Sequence, residues 1–381
     1  VMGNSSRDHN YGYIFPRTDD GWKSVVFYLH INGEWKKLTA PEFNGLNQWH
    51  HVAATYDGFN MRIYIDGVLK ATQEAIGDIT TIPPANLNTT INPNLFVIGN
   101  QPGFTEFYRG KLEESKVWNR ALNQCEIINN MNCELQPAQT GLVAYFKYNQ
   151  GWANVANAET SVLDASGNNR HLSLVNVAQN GTASNWSDFK VSGTCSTYAE
   201  PPVTAQANGS VFGIGSTIRL FANGGTAYEW VGPNSFESIS ASPIVYNAQT
   251  VNTGIYTVGV PFVNCKIYKS VRLTVTPLPA IQATGNTTIC PSSKVTLSIA
   301  TVGTAYQWYL NDEPIQGANA ATYQAGATGA YSVGVTVDGN IQISAPISVT
   351  VVDNVPPSPN VATLPTLNLS APVTITNYPT A

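Results

Sequence analysis

Charge is what this sequence is short of. Asp, Glu, Lys and Arg make up 11% of its 381 residues, against ~25% in ordinary soluble domains. The net charge is −5, and no Lys/Arg cluster reaches the density that nucleic-acid binding demands. A run of 18 apolar residues, the least a membrane-spanning helix needs, is missing, so no membrane insertion is expected. Five cysteines are present without a C-x-x-C pair, which argues against zinc and thioredoxin-type chemistry. The G-x-S-x-G, H-E-x-x-H, Walker-type and dinucleotide-binding signatures are lacking too. Asn, Thr, Ser, Gly and Pro are abundant, with 18 Tyr and 8 Trp. That is the profile of an extracellular, all-β protein. The length suggests two to four domains, each able to bury a core.

The most patterned stretch runs from Gln48 to Lys70. One strand ends at Asp57-Gly58. The next alternates Met61, Ile63 and Ile65 with Arg62, Tyr64 and Asp66, and Asp66-Gly67 is a type I′ hairpin signal. Leu95-Phe96-Val97-Ile98-Gly99 follows, then Tyr108-Arg109-Gly110 leading through Glu113-Glu114 to Asn119-Arg120-Ala121-Leu122. These motifs, W-x-H-V-A, Y-x-D-G, I-G and a G-x-[IL]-[DE]-E strand ending in N-R-A-L, resemble the laminin-G-like, concanavalin A-like jelly roll. The resemblance implies a module over residues 1–140 that binds rather than cuts. Its pattern begins part-way through, so the chain reads as a mature or excised piece of a longer secreted protein. Asn123 with Glu126 forms a capping box for a short helix, where the family has one. Gly141–Asn149 and Asp164-Ala165-Ser166-Gly167-Asn168 look like the opening of a second such module over residues 141–199. It is either a vestigial half or a piece packed onto the first.

Residues 200–277 and 278–352 form an internal repeat. Ser216–Leu220 matches Ser293–Leu297, Gly225–Trp230 matches Gly303–Trp308, and Thr253–Val260 matches Thr328–Val335. A strand, a Trp strand and T-G-x-Y-x-V resemble the immunoglobulin-like and PKD-like repeats of large bacterial surface proteins, particularly in Bacteroidetes. The resemblance puts Trp230 and Trp308 in the buried core and Tyr256 and Tyr331 at tyrosine corners. Leu220, Leu297, Val258 and Val333 stand where cross-sheet cysteines would be. Pro277-Leu278-Pro279 is the linker between them. Residues 353–381 read as a Pro-rich linker and the start of a further module. The fold class expected is therefore all-β: a concanavalin A-like jelly-roll sandwich followed by two immunoglobulin-like β-sandwiches in tandem.

Candidate sites are few. A jelly-roll glycosidase needs two carboxylates converging across a cleft. The nearest pair, Glu113 and Glu114, is adjacent, and neighbours on a strand face opposite ways. His50 and His51 are separated by the same alternation. Loop residues Asn100, Gln101, Phe104 and Phe107 offer the aromatic and amide chemistry of carbohydrate recognition. Calcium is the cofactor that oxygen donors on loops would favour, with Asp164, Asn168 and Asn100 as candidate ligands; the alternative is that Asp164 and Asn168 shape a turn. Cys125 and Cys133, the closest cysteines, bracket the helix and are expected to pair if Asn129–Asn132 turns the chain back. Cys265 with Cys290 is a weaker pairing across the linker.

The leading function is a non-catalytic binding and adhesion segment of a secreted or cell-surface protein. A glycan or surface protein is its ligand, and further repeat modules of the same polypeptide are its neighbours. The alternatives are a purely structural stalk, or an accessory carbohydrate-binding region of a secreted polysaccharide-degrading enzyme.

Overall fold

The computed structural model describes residues 2–6, 9–16, 23–41, 43, 47–80, 96–99, 108, 110–136, 138–181 and 185–352. Two compact units are present: Val1–Ser210 with Ile214–Val275, and Val211–Gly213 with Thr276–Ala381. The regular secondary structure of the described residues is almost entirely β-strand, with one α-helix among them.

The first unit begins with a sandwich. Strands β1 (Met2–Ser6), β2 (His9–Pro16), β3 (Val25–Ile31), β4 (Glu34–Ala40) and, after three further strands, β8 (Val97–Ile98) form one sheet in the order β4-β3-β2-β1-β8. The intervening β5 (Val52–Tyr56), β6 (Asn60–Ile65) and β7 (Val68–Glu74) make the second sheet. Every second residue of β3 (Val25, Phe27, Leu29, Ile31) meets Met61, Ile63 and Ile65 of β6 in one core, as period-2 side-chain alternation requires. Asp57 builds the turn before β6 by accepting from the amides of Phe59 (3.0 Å) and Asn60 (2.7 Å). The Asp66-Gly67 hairpin has both residues at positive φ, +51° and +76°, the type I′ geometry.

The alternation puts Arg62 and Tyr64 on the face of β6 away from Met61, Ile63 and Ile65. Both faces of the strand are buried, and residues after 200 help cover the second. Arg62 lies 5.2 Å from the Tyr268 ring centroid, and Asn60 Nδ2 donates to Ser270 Oγ at 3.3 Å.

Strand β9 (Ser115–Trp118) leads into helix α1 (Gln124–Asn130). The Asn123 side chain caps it by accepting from the Glu126 amide at 2.9 Å. Only half of a capping box forms, since the Glu126 carboxylate is spent on a two-pronged pair with Arg120. A Cβ on Gly67 would sit 2.6 Å from Ile128 Cγ1, so that glycine serves both its turn and the seat of the helix. Strand β10 (Leu142–Phe146) then pairs antiparallel with β9. Of the two arrangements the sequence left open for residues 141–199, the segment packs onto the first: Ala144, Phe146 and Val162 share a core with Phe96, Ile98 and Val117.

The cysteines correct two expectations. Cys125 bonds to Cys265 and Cys133 to Cys195, each with a Cα separation of 5.0 Å, while Cys290 is free and exposed. The Cys125–Cys133 pairing fails because Asn129 and Asn130 continue the helix instead of reversing the chain, which leaves the two cysteines toward opposite ends of it. Cys265 reaches back to the helix rather than across the linker to Cys290.

Within residues 200–275, Thr204–Ala207, Ile218–Asn223 and Ile244–Val245 form one sheet. Lys266–Thr276, Gly254–Pro261, Glu229–Gly232 and Phe236–Ser238 lie side by side in another. Ile218, Leu220, Trp230, Tyr256 and Val258 are buried. In the second unit, Ile281–Thr284, Val295–Ile299 and Thr322–Ala325 form a sheet, and Gly329–Val337 lies between Ala305–Leu310 and Ile347–Val351 in the other. Leu297, Trp308, Tyr331 and Val333 centre its core. Residues 353–381, the expected further module, lie outside the described residues.

Candidate functional site

The turn at Asp66 organises one end of the sandwich. Its carboxylate takes the His51 amide on Oδ1 (2.9 Å) and the His50 ring Nδ1 on Oδ2 (2.8 Å). The His50 ring also meets Phe43 edge-on at 5.1 Å. His51 faces inward, its Nδ1 buried without a hydrogen-bond partner among the described residues. Burial first, and the Lys116 ammonium second, press its pKa down to about 4. The two histidines do different work: His50 braces the loop, and His51 is a neutral core ring at pH 7.

The adjacent carboxylates are separated more thoroughly than strand alternation alone would separate them. Strand β9 starts only at Ser115, and Glu114 has φ +57°, a left-handed conformation that non-glycine residues seldom adopt. This turns Glu114 inward, where Oε2 accepts from the Tyr145 hydroxyl and pairs with Lys116 Nζ at 3.2 Å. Glu113 Oε1 accepts from the Val191 amide at 3.0 Å, and burial raises its pKa, helped by the charge of Glu114. Glu134 is tied to Lys147 at 2.6 Å. Lys116 also donates to the Asn130 carbonyl at 2.8 Å, satisfying the end of α1. Burial lowers the pKa of Lys116 and, with Glu114 adding to it, raises that of Tyr145. Chemically this is a clamp: carboxylates, ammonium groups and a phenol hold β9, β10 and α1 together.

Asp164 and Asn168 do fall in one turn, and there the donor set decides between ion and turn. The Asp164 carboxylate accepts four hydrogen bonds: Tyr145 N and Ser166 N on Oδ1, Ser166 Oγ and Arg170 N on Oδ2, each at 2.9 Å. Burial by itself would raise its pKa, but these donors outweigh that and hold it low. Asn168 turns its Nδ2 to the carbonyls of Leu142 (2.9 Å) and Val143 (3.1 Å). With its lone pairs filled by protein donors, Asp164 does not fit a calcium ion; the two residues shape the turn. No group of His, Cys, Asp or Glu that could hold a metal occurs among the described residues. Asn100, Gln101, Phe104 and Phe107 lie outside the described residues.

The sequence reading missed a polar cleft of about 370 Å³ beside α1, lined by Arg120, Glu126, Tyr198 and Glu200 among others. Arg120 is already engaged on three sides, by Glu126, by the Thr140 carbonyl (2.9 Å) and by the Trp118 ring 5.0 Å below it. The Arg120 of N-R-A-L was the available signal.

The known proteins sharpen this picture. Residues 1–128 match the concanavalin A-like lectin/glucanases superfamily. A concanavalin A-like domain occupies that stretch. Human pappalysin-1 is 32% identical over 120 residues, which are 31% of this chain and 7% of that protein. Among solved structures, murine CEACAM1b (16% identity, TM-score 0.22) is covered completely by 39% of this chain. Three N-terminal domains of the bacteriophage RB49 outer capsid protein Hoc (20% identity, TM-score 0.25) are covered to 58% by 39% of this chain. Scores that low carry no argument about fold. Strand β9 of the matched region pairs with β10 beyond it, and the Asp66 turn, the buried clamp and the Asp164 turn brace this part of the first unit.

Proposed function

We propose that this segment is a non-catalytic binding and adhesion region of a secreted or cell-surface bacterial protein. The concanavalin A-like domain recognises a glycan or protein ligand, and residues 200–277 and 278–352 act as immunoglobulin-like spacers. The observation that carries the reading is the family match of residues 1–128, joined to a chemistry in which Glu113, Glu114 and Glu134 are each committed to structural partners. A glycosidase needs two carboxylates free to converge on one sugar. Two disulfides support an extracytoplasmic setting. The spacer assignment is supported by the buried Trp230 and Trp308. It is also supported by the Tyr256 and Tyr331 hydroxyls, each donating at 3.0 Å to a carbonyl four residues upstream.

The stalk reading is favoured by one feature, the Cys125–Cys265 bond that fixes the first repeat to the jelly roll. Glycan-array binding by the full chain, paired with a reducing-sugar assay on the same glycans with and without calcium, separates the readings. Retention without sugar release is expected. Release of reducing ends overturns the non-catalytic reading, and failure to bind any glycan or protein leaves the stalk.

A further inference from the structure

Most aromatic rings among the described residues of the first unit are buried or half-buried, but two exposed ones stand against each other. Trp49, just before β5, and Phe189, in the segment leading to Cys195, stack with centroids 4.0 Å apart and planes inclined by 19°. Each covers one face of its partner, yet Trp49 is still 43% exposed and Phe189 42%. Each ring of the pair therefore keeps a substantial area open to water.

We infer that this pair is a stacking platform for a hexopyranose ring of a glycan, one that presents an unbroken C–H face. The inference rests on the binding reading above and gives it a place. Its first support is size. With 150–250 Å² on each aromatic side chain, the open area comes to roughly 200 Å². A stable protein partner needs about 800 Å² on each side. The patch is thus too small for a protein and of the right order for one sugar ring. The second support is its border. The sequence neighbours Gln48, Asp188 and Lys190 are all exposed and supply the donors and acceptors that a ring of hydroxyls requires, an apolar floor with a few polar groups being the usual make-up of a small-ligand site.

The third support is rigidity. Trp49 is followed by His50, whose ring is held by Asp66 and Phe43, and by His51, whose amide is held by the same Asp66. Phe189 is followed closely by Val191, whose amide is bonded to Glu113, and by Cys195, bonded to Cys133. A platform fixed from both sides gives up little conformational entropy when a ring settles on it. The Asp66 turn and the Glu113 carboxylate thereby become positioning groups for a surface rather than parts of a reaction.

The test uses the full chain in affinity gels containing laminarin, xyloglucan or β-1,4-galactan. Retardation by at least one of the three is expected. Trp49→Ala and Phe189→Ala should each weaken it about tenfold or more, whereas Trp49→Phe, which keeps a stacking ring, should stay within about threefold. Trp152→Ala removes another tryptophan, 77% exposed on the same unit, and should leave binding unchanged. Thermal melts check that the variants fold. Wild-type binding that survives Trp49→Ala and Phe189→Ala, or that disappears with Trp152→Ala instead, overturns the platform and leaves the binding reading standing. A wild-type chain retarded by none of the three overturns the platform together with glycan recognition.

Discussion

The two internal repeats share one plan and differ in how they are fastened. Both bury a tryptophan, a tyrosine and a valine on neighbouring strands of one sheet and a leucine on the other. The first bonds its cysteine, Cys265, to Cys125 of helix α1 in the jelly roll, and adds a hydrogen bond from the Lys266 amide to Gln124 Oε1 (2.9 Å) and the Arg62–Tyr268 contact. The second has one cysteine, Cys290, exposed and free. A repeat duplicated along a chain keeps its core because the core is internal; its outer face is reused wherever a neighbour presents a matching surface. The first repeat is therefore part of the compact body that carries the jelly roll, while the second forms the other unit.

The most direct way to break this comparison is to cut the fastening. Closing a loop of 140 residues stabilises by up to about 5 kcal/mol through chain entropy. The Cys125→Ser/Cys265→Ser double variant should lower the first unit's unfolding free energy by a few kcal/mol, and calorimetry should show the first repeat melting apart from the jelly roll. Cys290→Ser should change nothing. A double variant that melts like the parent would mean that the noncovalent contacts alone hold the joint.

Features whose causes are close in sequence were readable from it. The Met61, Ile63, Ile65 alternation, the Asp66-Gly67 turn, the Asn123 cap and the repeated tryptophans each depend on a few neighbouring residues. What escaped reading depends on distant partners. Nothing near Arg62 and Asn60 in the sequence announces that Tyr268 and Ser270 will contact them. Cys125 has a near neighbour in Cys133, and nothing local reveals that Cys265 is its mate. The strand at Leu142–Phe146 carries the signature of a module's opening, but a signature does not say which edge it will join, and that edge is β9. The Asp-Ala-Ser-Gly-Asn turn is compatible with an ion or a turn. Four donors from Tyr145, Ser166 and Arg170 fill the Asp164 carboxylate and favour the turn.

Acid should separate the two units as well. All five histidines precede residue 200, and His51 has its pKa pushed down to about 4 from the ordinary 6.5. Below pH 6.5 the unfolded chain takes up a proton that the folded chain refuses until about pH 4. The stabilising contribution is therefore complete above pH 6.5 and is lost as pH falls toward 4, by about 3 kcal/mol in all. The raised pKa of Glu113 acts in the opposite sense, since the folded carboxyl protonates first on acidification, and it offsets part of the loss. Melting followed from pH 7 to 4.5 should show the first unit falling while the histidine-free second unit lacks this slope. His51→Asn should flatten the slope of the first; an unchanged slope in that variant would assign it to other groups.

The smallest effect distinguishes the two cores themselves. Trp308 Nε1 donates to the Ala320 carbonyl at 2.9 Å, whereas Trp230 Nε1 is buried without a partner among the described residues. Replacing either tryptophan by phenylalanine removes a similar volume, so the packing losses should nearly cancel in the comparison. They differ in what happens to the polar atoms. Trp308→Phe takes the donor from a carbonyl, while Trp230→Phe deletes an N–H that was costing desolvation without a bond in return. Leaving one buried group unpaired costs on the order of 1–3 kcal/mol, so Trp308→Phe should be the more destabilising by about 1–2 kcal/mol in urea titrations of the full chain. Equal losses would show that the Ala320 carbonyl finds another donor, or that water already serves Trp230, and the two cores would then be alike in their polar bonding as they are in their apolar packing.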